Sequence, residues 1–344
     1  MSYKILKFDQ LNSLEWDSLL TNLRGNIFLN CADMIKYKMN LAKTKNISFA
    51  IFEGKKCLAA ICLGVSRYGN NDYELSCGNA YCPEPIFNKT IGVYELRKIK
   101  KHLWNMIIDL AKKYNCKKYK FSTHPISFKD KKAQIDISNQ FYYLKWCQNY
   151  NVNNTIIIDL NLSKKKLWEN LSKYHRKNLR KIDKSKMKIN LIDHKSDKKF
   201  LEQKFNSFKS AHIQSAGKQT RPDITWEIMK SLISKRKACL FTLSLKKDSK
   251  DISFLFCGIQ NNFSAGWSQV NLEQYEKEYM PRHILEWQAI LILKKFGVKF
   301  YEIGERFYKT QSYNPSEKEI SISEFKEKFG GIFYPKIYYE YKFN

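Results

Sequence analysis

Two side chains that could accept a proton lie close together in the sequence, in residues 279–331. Glu305 follows a β-rich apolar run, and His283 lies near the start of a segment with the apolar spacing of a helix. A carboxylate at the end of a buried strand, or an imidazole at a helix start, can remove a proton from a substrate. A solvated turn glutamate and a packing histidine are the structural alternatives for the same residues.

The elements that position these two residues are a helix and a strand. An apolar stripe of helical spacing runs from Leu285 to Phe296, and Pro281 suits a first helical turn. Gly297 is a plausible helix C-cap, and the run 298–303 reads as a buried strand that Gly304 should end. The pattern therefore predicts Glu305 in the turn after the strand.

Length and charge limit the class of protein. The 344 residues predict about two domains, and 43% hydrophobic residues indicate packed globular structure. Lys and Arg number 61 against 33 Asp and Glu, a formal charge of +28, which attracts polyanions. RNA, nucleotide-sugar phosphates, coenzyme A and an acidic membrane surface all qualify. An AT-rich genome, which enriches lysine, explains the same surplus equally well.

The cysteines and the N-terminal segment indicate the compartment. The nine cysteines include no CxxC motif and are expected to be reduced and buried, as small hydrophobic residues. Neither disulfides nor a metal site is therefore predicted. No signal sequence and no long apolar run is visible, so the sequence predicts a cytoplasmic protein.

An internal repeat suggests two modules. Residues 112–121 (KKYNCKKYKF) match residues 294–303 (KKFGVKFYEI) in type, and residues 53–64 resemble 247–258 more loosely. These matches predict a duplicated α/β module, with an N-terminal copy over 1–150 and a C-terminal copy over 151–344. Residues 78–88 of the first copy hold two prolines and are predicted to form an irregular loop.

Two cationic segments belong to the second copy. A single helix is predicted from Ser163 through Ile182, with Arg176 and Arg180 in a basic ladder that is either a solvated face or a phosphate track. A polar loop, SAGKQTRPD, follows His212 and offers a turn that could grip a substrate through its own cations, Lys218 and Arg221.

With these features in order, the chain resembles the Fem-type peptidyltransferases of the GNAT superfamily. Three stretches carry the resemblance: TIIIDLNLSKKKLWENLSKYHRKNLRKI, YMPRHILEWQAILILKKFGVKFYEIG and SEFKEKFGG. The resemblance implies an α/β (α+β) fold of two tandem GNAT-like modules, each a mixed, mainly antiparallel sheet flanked by helices. It also implies an enzyme that transfers an acyl or aminoacyl group to an amine.

The resemblance implies the substrates as well. The donor would be acyl-CoA or aminoacyl-tRNA, used as a co-substrate, with no tightly bound cofactor. The acceptor would be a nucleotide-sugar or lipid-linked precursor of the cell envelope, either an amino sugar of a surface polysaccharide or a peptidoglycan stem peptide. We also expect peripheral contact with the inner membrane surface.

Site residues follow from the same resemblance. The family's Phe-Lys pair falls on Phe325 and Lys326, where a lysine can neutralise a donor phosphate or a developing oxyanion. Lys326 joins the two proton acceptors already described from the sequence itself, Glu305 and His283, as the expected catalytic residues. The expected substrate-binding residues are Arg176, Arg180, His212, Lys218, Arg221, Arg282, Arg306, Phe325 and Tyr308.

Two departures from the family pattern leave alternatives open. The Gly-rich turn that cradles a coenzyme A pyrophosphate has no counterpart at residues 278–283, where Arg282 would have to hold the donor. The coiled-coil insertion of some family members is also missing. A tRNA-dependent aminoacyltransferase acting on peptidoglycan is one alternative, and a non-catalytic RNA-binding protein using helix 173–184 is the other.

Overall fold

A computed structural model describes residues 3–69, 72–78, 80–129, 132–138, 140–147, 149–311 and 314–343. The chain divides into two compact units: residues 1–153 with 335–344, and residues 154–334. The last ten residues thus belong to the first unit, whereas the sequence prediction assigned them to the C-terminal module. The cause is strand pairing, since Tyr339 lies opposite Phe121 in an antiparallel ladder.

The described strands, in chain order, are β1 (Lys4–Lys7), β2 (Leu23–Arg24), β3 (Lys45–Asn46), β4 (Phe49–Glu53), β5 (Lys56–Ile61), β6 (Gly64–Tyr68), β7 (Asp72–Leu75), β8 (Cys82–Pro83), β9 (Ile86–Asn88), β10 (Cys116–Ser122), β11 (Ile126–Lys129), β12 (Lys132–Ile135), β13 (Asn149–Asp159), β14 (Met187–Ile192), β15 (Ala238–Leu245), β16 (Asp251–Gln260), β17 (Phe263–Asn271), β18 (Phe300–Arg306) and β19 (Ile332–Lys342).

The described α-helices are α1 (Ser13–Leu20), α2 (Ile27–Asn30), α3 (Ala32–Leu41), α4 (Val93–Lys113), α5 (Lys164–Asn170), α6 (Lys173–Lys181), α7 (Lys198–Ala216), α8 (Asp223–Ser234), α9 (Glu276–Tyr279), α10 (Pro281–Lys295) and α11 (Glu317–Glu327). None of the helices in these described ranges is long and apolar enough to cross a membrane.

Two larger sheets and the two-stranded sheet β11-β12 make up the described strands of the first unit. One has the strand order β1-β4-β5-β9-β2, and the other contains β19-β10-β7-β6-β3. Strands β7 and β10 run parallel and are connected by α4, whose buried face includes Ile99, Leu103 and Ile107 at helical spacing. This strand-helix-strand unit is the first copy of the predicted repeat.

The prediction of an irregular loop over residues 78–88 was wrong. This segment contains β8, which pairs in parallel with β10, and β9, which pairs with both β5 and β2. Proline cannot donate a ladder hydrogen bond, but the amide of the next residue, Glu84, donates to the carbonyl of Ser122 at 2.9 Å. The neighbouring amide thus compensates for Pro83 and lets the strand form.

The second unit holds a six-stranded sheet in the order β14-β15-β16-β17-β18-β13. The β14-to-β17 part is antiparallel, and β17 runs parallel to β18 through the connection by α10. The apolar core of this unit packs around α10, with Leu285, Ala289 and Leu293 fully buried. The helix and strand predicted at 281–303 are therefore present.

Two details of the second unit correct the sequence predictions. The basic segment is two helices and not one, because Leu171 adopts an extended conformation and the Ser172 hydroxyl caps α6 by accepting a hydrogen bond from the His175 amide. Strand β18 does not end at Gly304, which takes a positive φ of 145° and lets the strand continue to Arg306. Glu305 is therefore a strand residue and not a turn residue.

All nine cysteines are buried, as their apolar neighbours predict. In the first unit Cys77 lies between two others, with its sulfur 3.4 Å from that of Cys62 and 3.2 Å from that of Cys82. Burial raises the pKa of the Cys77 thiol well above its usual value, which favours the protonated, unreactive form.

Candidate functional site

The parallel strands β17 and β18 of the second unit are hydrogen-bonded over only three residue pairs, from Phe263 opposite Phe300 to Ala265 opposite Glu302. Beyond these pairs β17 stays with β16 and β18 stays with β13, so the sheet opens between them. The fully buried phenol of Tyr301 lies beside Gly266, the first residue of β17 beyond these pairs, 2.9 Å from where a Cβ on that glycine would stand. A side chain larger than glycine at position 266 would collide with it.

A buried carboxylate partners this phenol. The Tyr301 hydroxyl donates a hydrogen bond of 2.6 Å to Glu286 Oε1, on α10. Only 1% of the Glu286 residue is exposed. Burial raises the pKa of Glu286 to about 7, while the Tyr301 hydrogen bond and the positive charge of Lys326 act in the opposite direction. Glu286 therefore carries a proton in part of the population near neutral pH.

Lys326 places its ammonium beside the same strand. It lies in the last turn of α11, and its Nζ is 2.6 Å from where a Cβ on Gly304 would stand. Only glycine leaves this space for the lysine, and its positive φ is one that other residues rarely adopt. The lysine charge reaches Glu286 strongly enough to affect its pKa. Lys326, Gly304, Tyr301 and Glu286 thus form one site, which we call the strand-opening site.

Arg306 anchors the helix that carries Lys326. Its Nε donates to Glu327 at 2.6 Å, and its two terminal nitrogens reach Glu324 and the Ser323 hydroxyl, each at 3.1 Å. Its side chain is 11% exposed. The guanidinium also lies 4.6 Å from the ring centre of Tyr308. Arg306 therefore ties β18 to α11, and Tyr308 lies on this network.

Phe325 packs between two buried histidines. Its ring centre is 4.9 Å from that of His175 and 5.0 Å from that of His283, and its carbonyl lies 3.0 Å from His175 Nε2. Burial lowers the pKa of both imidazoles to about 4, so both are neutral at pH 7. Asn178 Nδ2 lies 3.1 Å from His283 Nε2. The histidines hold the Phe-Lys pair from one side.

Glu305 is half-buried in β18, opposite Thr155 and one residue beyond Gly304. The predicted base is thus adjacent in sequence to the glycine that Lys326 covers, and it is far more accessible than Glu286. His283 is 5% exposed and packed against Phe325. A catalytic role for either residue remains a prediction, and the surroundings of His283 favour packing.

The predicted cations on α6 and α10 have local partners. Arg176 donates to the backbone carbonyls of Glu169 and Leu171, and the exposed Arg180 lies 5.7 Å from the ring centre of Trp168. Arg282 forms an ion pair of 3.3 Å with Glu276. A phosphate bound by Arg282 would compete with that carboxylate for the guanidinium group.

The predicted gripping loop lies between α7 and α8. Arg221 NH1 is 3.1 Å from His212 Nε2, and Arg221 NH2 donates to the Ser268 hydroxyl at 3.3 Å. Burial, together with the charge of Arg221, lowers the pKa of His212. Lys218 is exposed in the same loop. Arg221 therefore connects this loop to the half of β17 that has separated from β18.

The sequence analysis missed Glu286, although a signal was present. Glu286 lies on the buried side of α10 together with Ala289, Ile290 and Leu293, at spacings of three, four and seven residues. A carboxylate on an apolar stripe is rare unless it has a partner or a function. Glu286 was overlooked because only the apolar residues of this stripe were considered.

The repeat shows how the two copies differ at this site. Aligning 112–121 with 294–303 sets Tyr119 against Tyr301 and Trp104 against Glu286. In the first unit the ring centres of Trp104 and Tyr119 are 6.3 Å apart, and β8 continues the sheet beside β10. Where the second unit has the Glu286 carboxylate, the first has the apolar contact of Trp104 with Tyr119. Where the sheet of the second unit opens beside β18, β8 pairs with β10 in the first.

Comparison with solved structures identifies the fold. FemX aligns over 100% of this chain and 98% of its own, with a TM-score of 0.66 and 12% identity. A tandem GNAT protein from the clavulanic acid biosynthesis pathway aligns over 99% and 98%, with a TM-score of 0.57 and 10% identity. L-PGS from Bacillus licheniformis aligns over 92% and 90%, with a TM-score of 0.56 and 12% identity.

No protein-family model matches the sequence, and no curated protein matches it. Identities this low establish the fold alone. The chain therefore has the FemX-like tandem GNAT fold, which confirms the α/β architecture of two GNAT-like modules predicted from the sequence.

Proposed function

We propose that the second unit transfers an acyl or aminoacyl group to an amine. The observation that carries this proposal is the Lys326 ammonium held over Gly304 at the opening between β17 and β18, with the buried Glu286 within its electrostatic reach. Attack of an amine on a thioester or ester places negative charge on the carbonyl oxygen. A cation fixed in position before the reaction stabilises that charge.

The residues divide the chemical tasks. Lys326 stabilises the oxyanion, and Glu305 takes the proton that the attacking amine loses as the new C–N bond forms. The tetrahedral intermediate then collapses with cleavage of the C–S bond to coenzyme A or of the C–O bond to the tRNA ribose, and the leaving thiol or hydroxyl takes up the proton held by Glu305. Glu286 is almost fully buried, so a substrate amine does not reach it without rearrangement of the site. We therefore assign Glu286 a positioning role, in which its carboxylate and the Tyr301 hydroxyl fix the field around Lys326.

The donor in this proposal is acyl-CoA or aminoacyl-tRNA. The compared tandem GNAT protein is described with reference to AcCoA, which supports acyl-CoA, and the sequence resemblance to the Fem-type peptidyltransferases supports aminoacyl-tRNA. The exposed cations of α6, Lys173, Lys177, Arg180 and Lys181, offer a surface for a polyanionic donor.

The acceptor is an amine of a cell-envelope precursor, either an amino sugar linked to a nucleotide or a peptidoglycan stem peptide linked to a lipid. The sequence resemblance and the fold of FemX support this class. The surplus of positive charge supports peripheral contact with an acidic membrane surface, where lipid-linked acceptors are found.

The test is incubation with labelled acyl-CoA or charged tRNA, each combined with amino-sugar nucleotides or lipid-linked muropeptides, followed by product mass. We expect one donor to yield an N-acylated product, and Glu305→Gln to slow its formation by about 100-fold or more, the usual contribution of a general base. Glu317→Gln, an exposed carboxylate on α11, serves as the control.

Absence of product from every pair would contradict the proposal. In that case, RNA binding that weakens steeply with salt and depends on α6 would favour the non-catalytic alternative.

A further inference from the structure

The first unit contains a polar cavity of about 100 Å³, which the proposed transfer reaction does not use. Its walls come from β2, the segment around β9, the N-terminal half of α4 and the 3-10 segment Gln140–Lys145. The volume exceeds that of a single water molecule and suits a small organic molecule.

Two oppositely charged groups line this cavity. Lys100 is 6% exposed, and its Nζ lies 3.7 Å from the ring centre of Tyr142. Glu84 faces the same cavity, and the His124 amide donates to its carboxylate at 3.3 Å. Burial raises the pKa of Glu84 to about 7 and lowers that of Lys100 to about 8, although the two charges attract each other and so oppose both shifts. Burial thus disfavours both charged forms, and a further charge of opposite sign beside each group would stabilise it.

A buried acceptor without a partner lies in the same wall. Gln140 is 1% exposed, and its Nε2 donates to the carbonyl of Pro335 at 2.6 Å, which fixes the orientation of the amide. Its Oε1 accepts no hydrogen bond from any residue that the structure describes. A buried carbonyl oxygen of this kind costs free energy unless a donor reaches it.

An ion pair stands beside these groups. Arg24, from β2, contacts Asp136 at 2.5 Å, with 47% of the arginine side chain exposed and 10% of the aspartate side chain. Both residues line the cavity. A simple anion would approach Lys100 and Arg24 but meet the carboxylates of Glu84 and Asp136. A simple cation would have the reverse problem, since Glu84 would attract it and Lys100 would repel it.

We infer that this cavity binds a small zwitterion, of the chemical class of a free α-amino acid. Its ammonium would donate to Gln140 Oε1 and to the Glu84 carboxylate, and its carboxylate would pair with the Lys100 ammonium. The inference is independent of acyl transfer at the strand-opening site, because every group it uses belongs to the first unit.

The test is calorimetric titration of the full chain with the common free α-amino acids. The best binder is then compared with two analogues that lack either its amino or its carboxyl group, and with inorganic phosphate. We expect at least one amino acid to bind, and each analogue and phosphate to bind at least tenfold more weakly. Lys100→Met and Gln140→Leu should each weaken binding tenfold or more, whereas Lys101→Met, an exposed lysine on the same helix, should leave it unchanged.

Three results would overturn the inference. They are failure of every amino acid to bind, equal binding of a one-charge analogue or of phosphate, and unchanged affinity in a folded Lys100→Met variant. If both cavity variants fail to fold, the comparison of ligands on the unaltered protein decides the matter alone.

Discussion

At the scale of single residues, the strand-opening site depends on two charges that were visible in the sequence to different degrees. Lys326 could be found because the Phe-Lys motif marks it. Glu286 could not be found by motif, because its role arises from burial beside Tyr301, a partner fifteen residues away that only the folded helix and strand bring within 2.6 Å. Linear patterns identify exposed or motif-bearing groups more readily than buried partners.

Glu286 has a predictable effect on stability. Its pKa is about 7 in the folded state and 4.5 in the unfolded state. Between pH 4.5 and pH 7 Glu286 is ionised in the unfolded state but still protonated in the folded state. The free energy of unfolding therefore falls as pH rises through this range. Glu286→Gln keeps an acceptor for Tyr301 and cannot ionise. We expect the free energy of unfolding of the variant to exceed that of the wild type by about 3 kcal/mol at pH 8 and to equal it near pH 4.

Thermal unfolding measured across that pH range checks this expectation, with Glu317→Gln as the exposed control. An advantage of the Glu286 variant that is the same at pH 4 and pH 8 would show that the ionisation of Glu286 is not the cause.

At the scale of elements, α10 and β18 could be predicted because an apolar stripe and a β-rich run are strong local signals. Three features could not. The strands in residues 78–88 form because a neighbouring amide compensates for Pro83. The basic helix breaks at Leu171 because Ser172 starts a new one. Strand β18 continues beyond Gly304 because this glycine accepts a φ of 145°. Each depends on backbone geometry set by tertiary contacts.

Arg306 links β18 to α11, the helix that carries Lys326, so removal of the arginine side chain should affect the position of the lysine. Arg306→Met loses four hydrogen bonds, to Glu324, Glu327, the Ser323 hydroxyl and the Phe307 carbonyl, and is expected to cost about 2 kcal/mol of stability, since Glu324 and Glu327 remain partly solvated. Activity should fall tenfold or more, because a loosened α11 no longer fixes the lysine.

Arg306→Lys should not restore that loss, since an ammonium cannot bridge both carboxylates as a planar guanidinium does. Arg97→Met, an exposed arginine on α4 of the first unit, is the control, and thermal unfolding with steady-state kinetics is the measurement. Wild-type activity in a folded Arg306→Met protein would show that the network does not position Lys326.

At the scale of the whole molecule, the repeat was visible in the sequence, and the asymmetry between the copies was not. Both units join parallel strands through a helix, but the first places Trp104 and β8 where the second has Glu286 and an opening. This difference supports the proposal of transfer chemistry in the second unit and of another task for the first. Chain composition could not separate them, because the charge surplus belongs to the molecule as a whole.

The central claim is that the second unit transfers an acyl group with the help of Lys326. The most direct measurement is the rate of N-acyl product formation by Lys326→Ala, compared with Lys318→Ala, an exposed lysine on the same helix. The account predicts a loss of about 100-fold or more in the first variant, from the removal of oxyanion stabilisation, and an unchanged rate in the second. Wild-type turnover by a folded Lys326→Ala protein would contradict it.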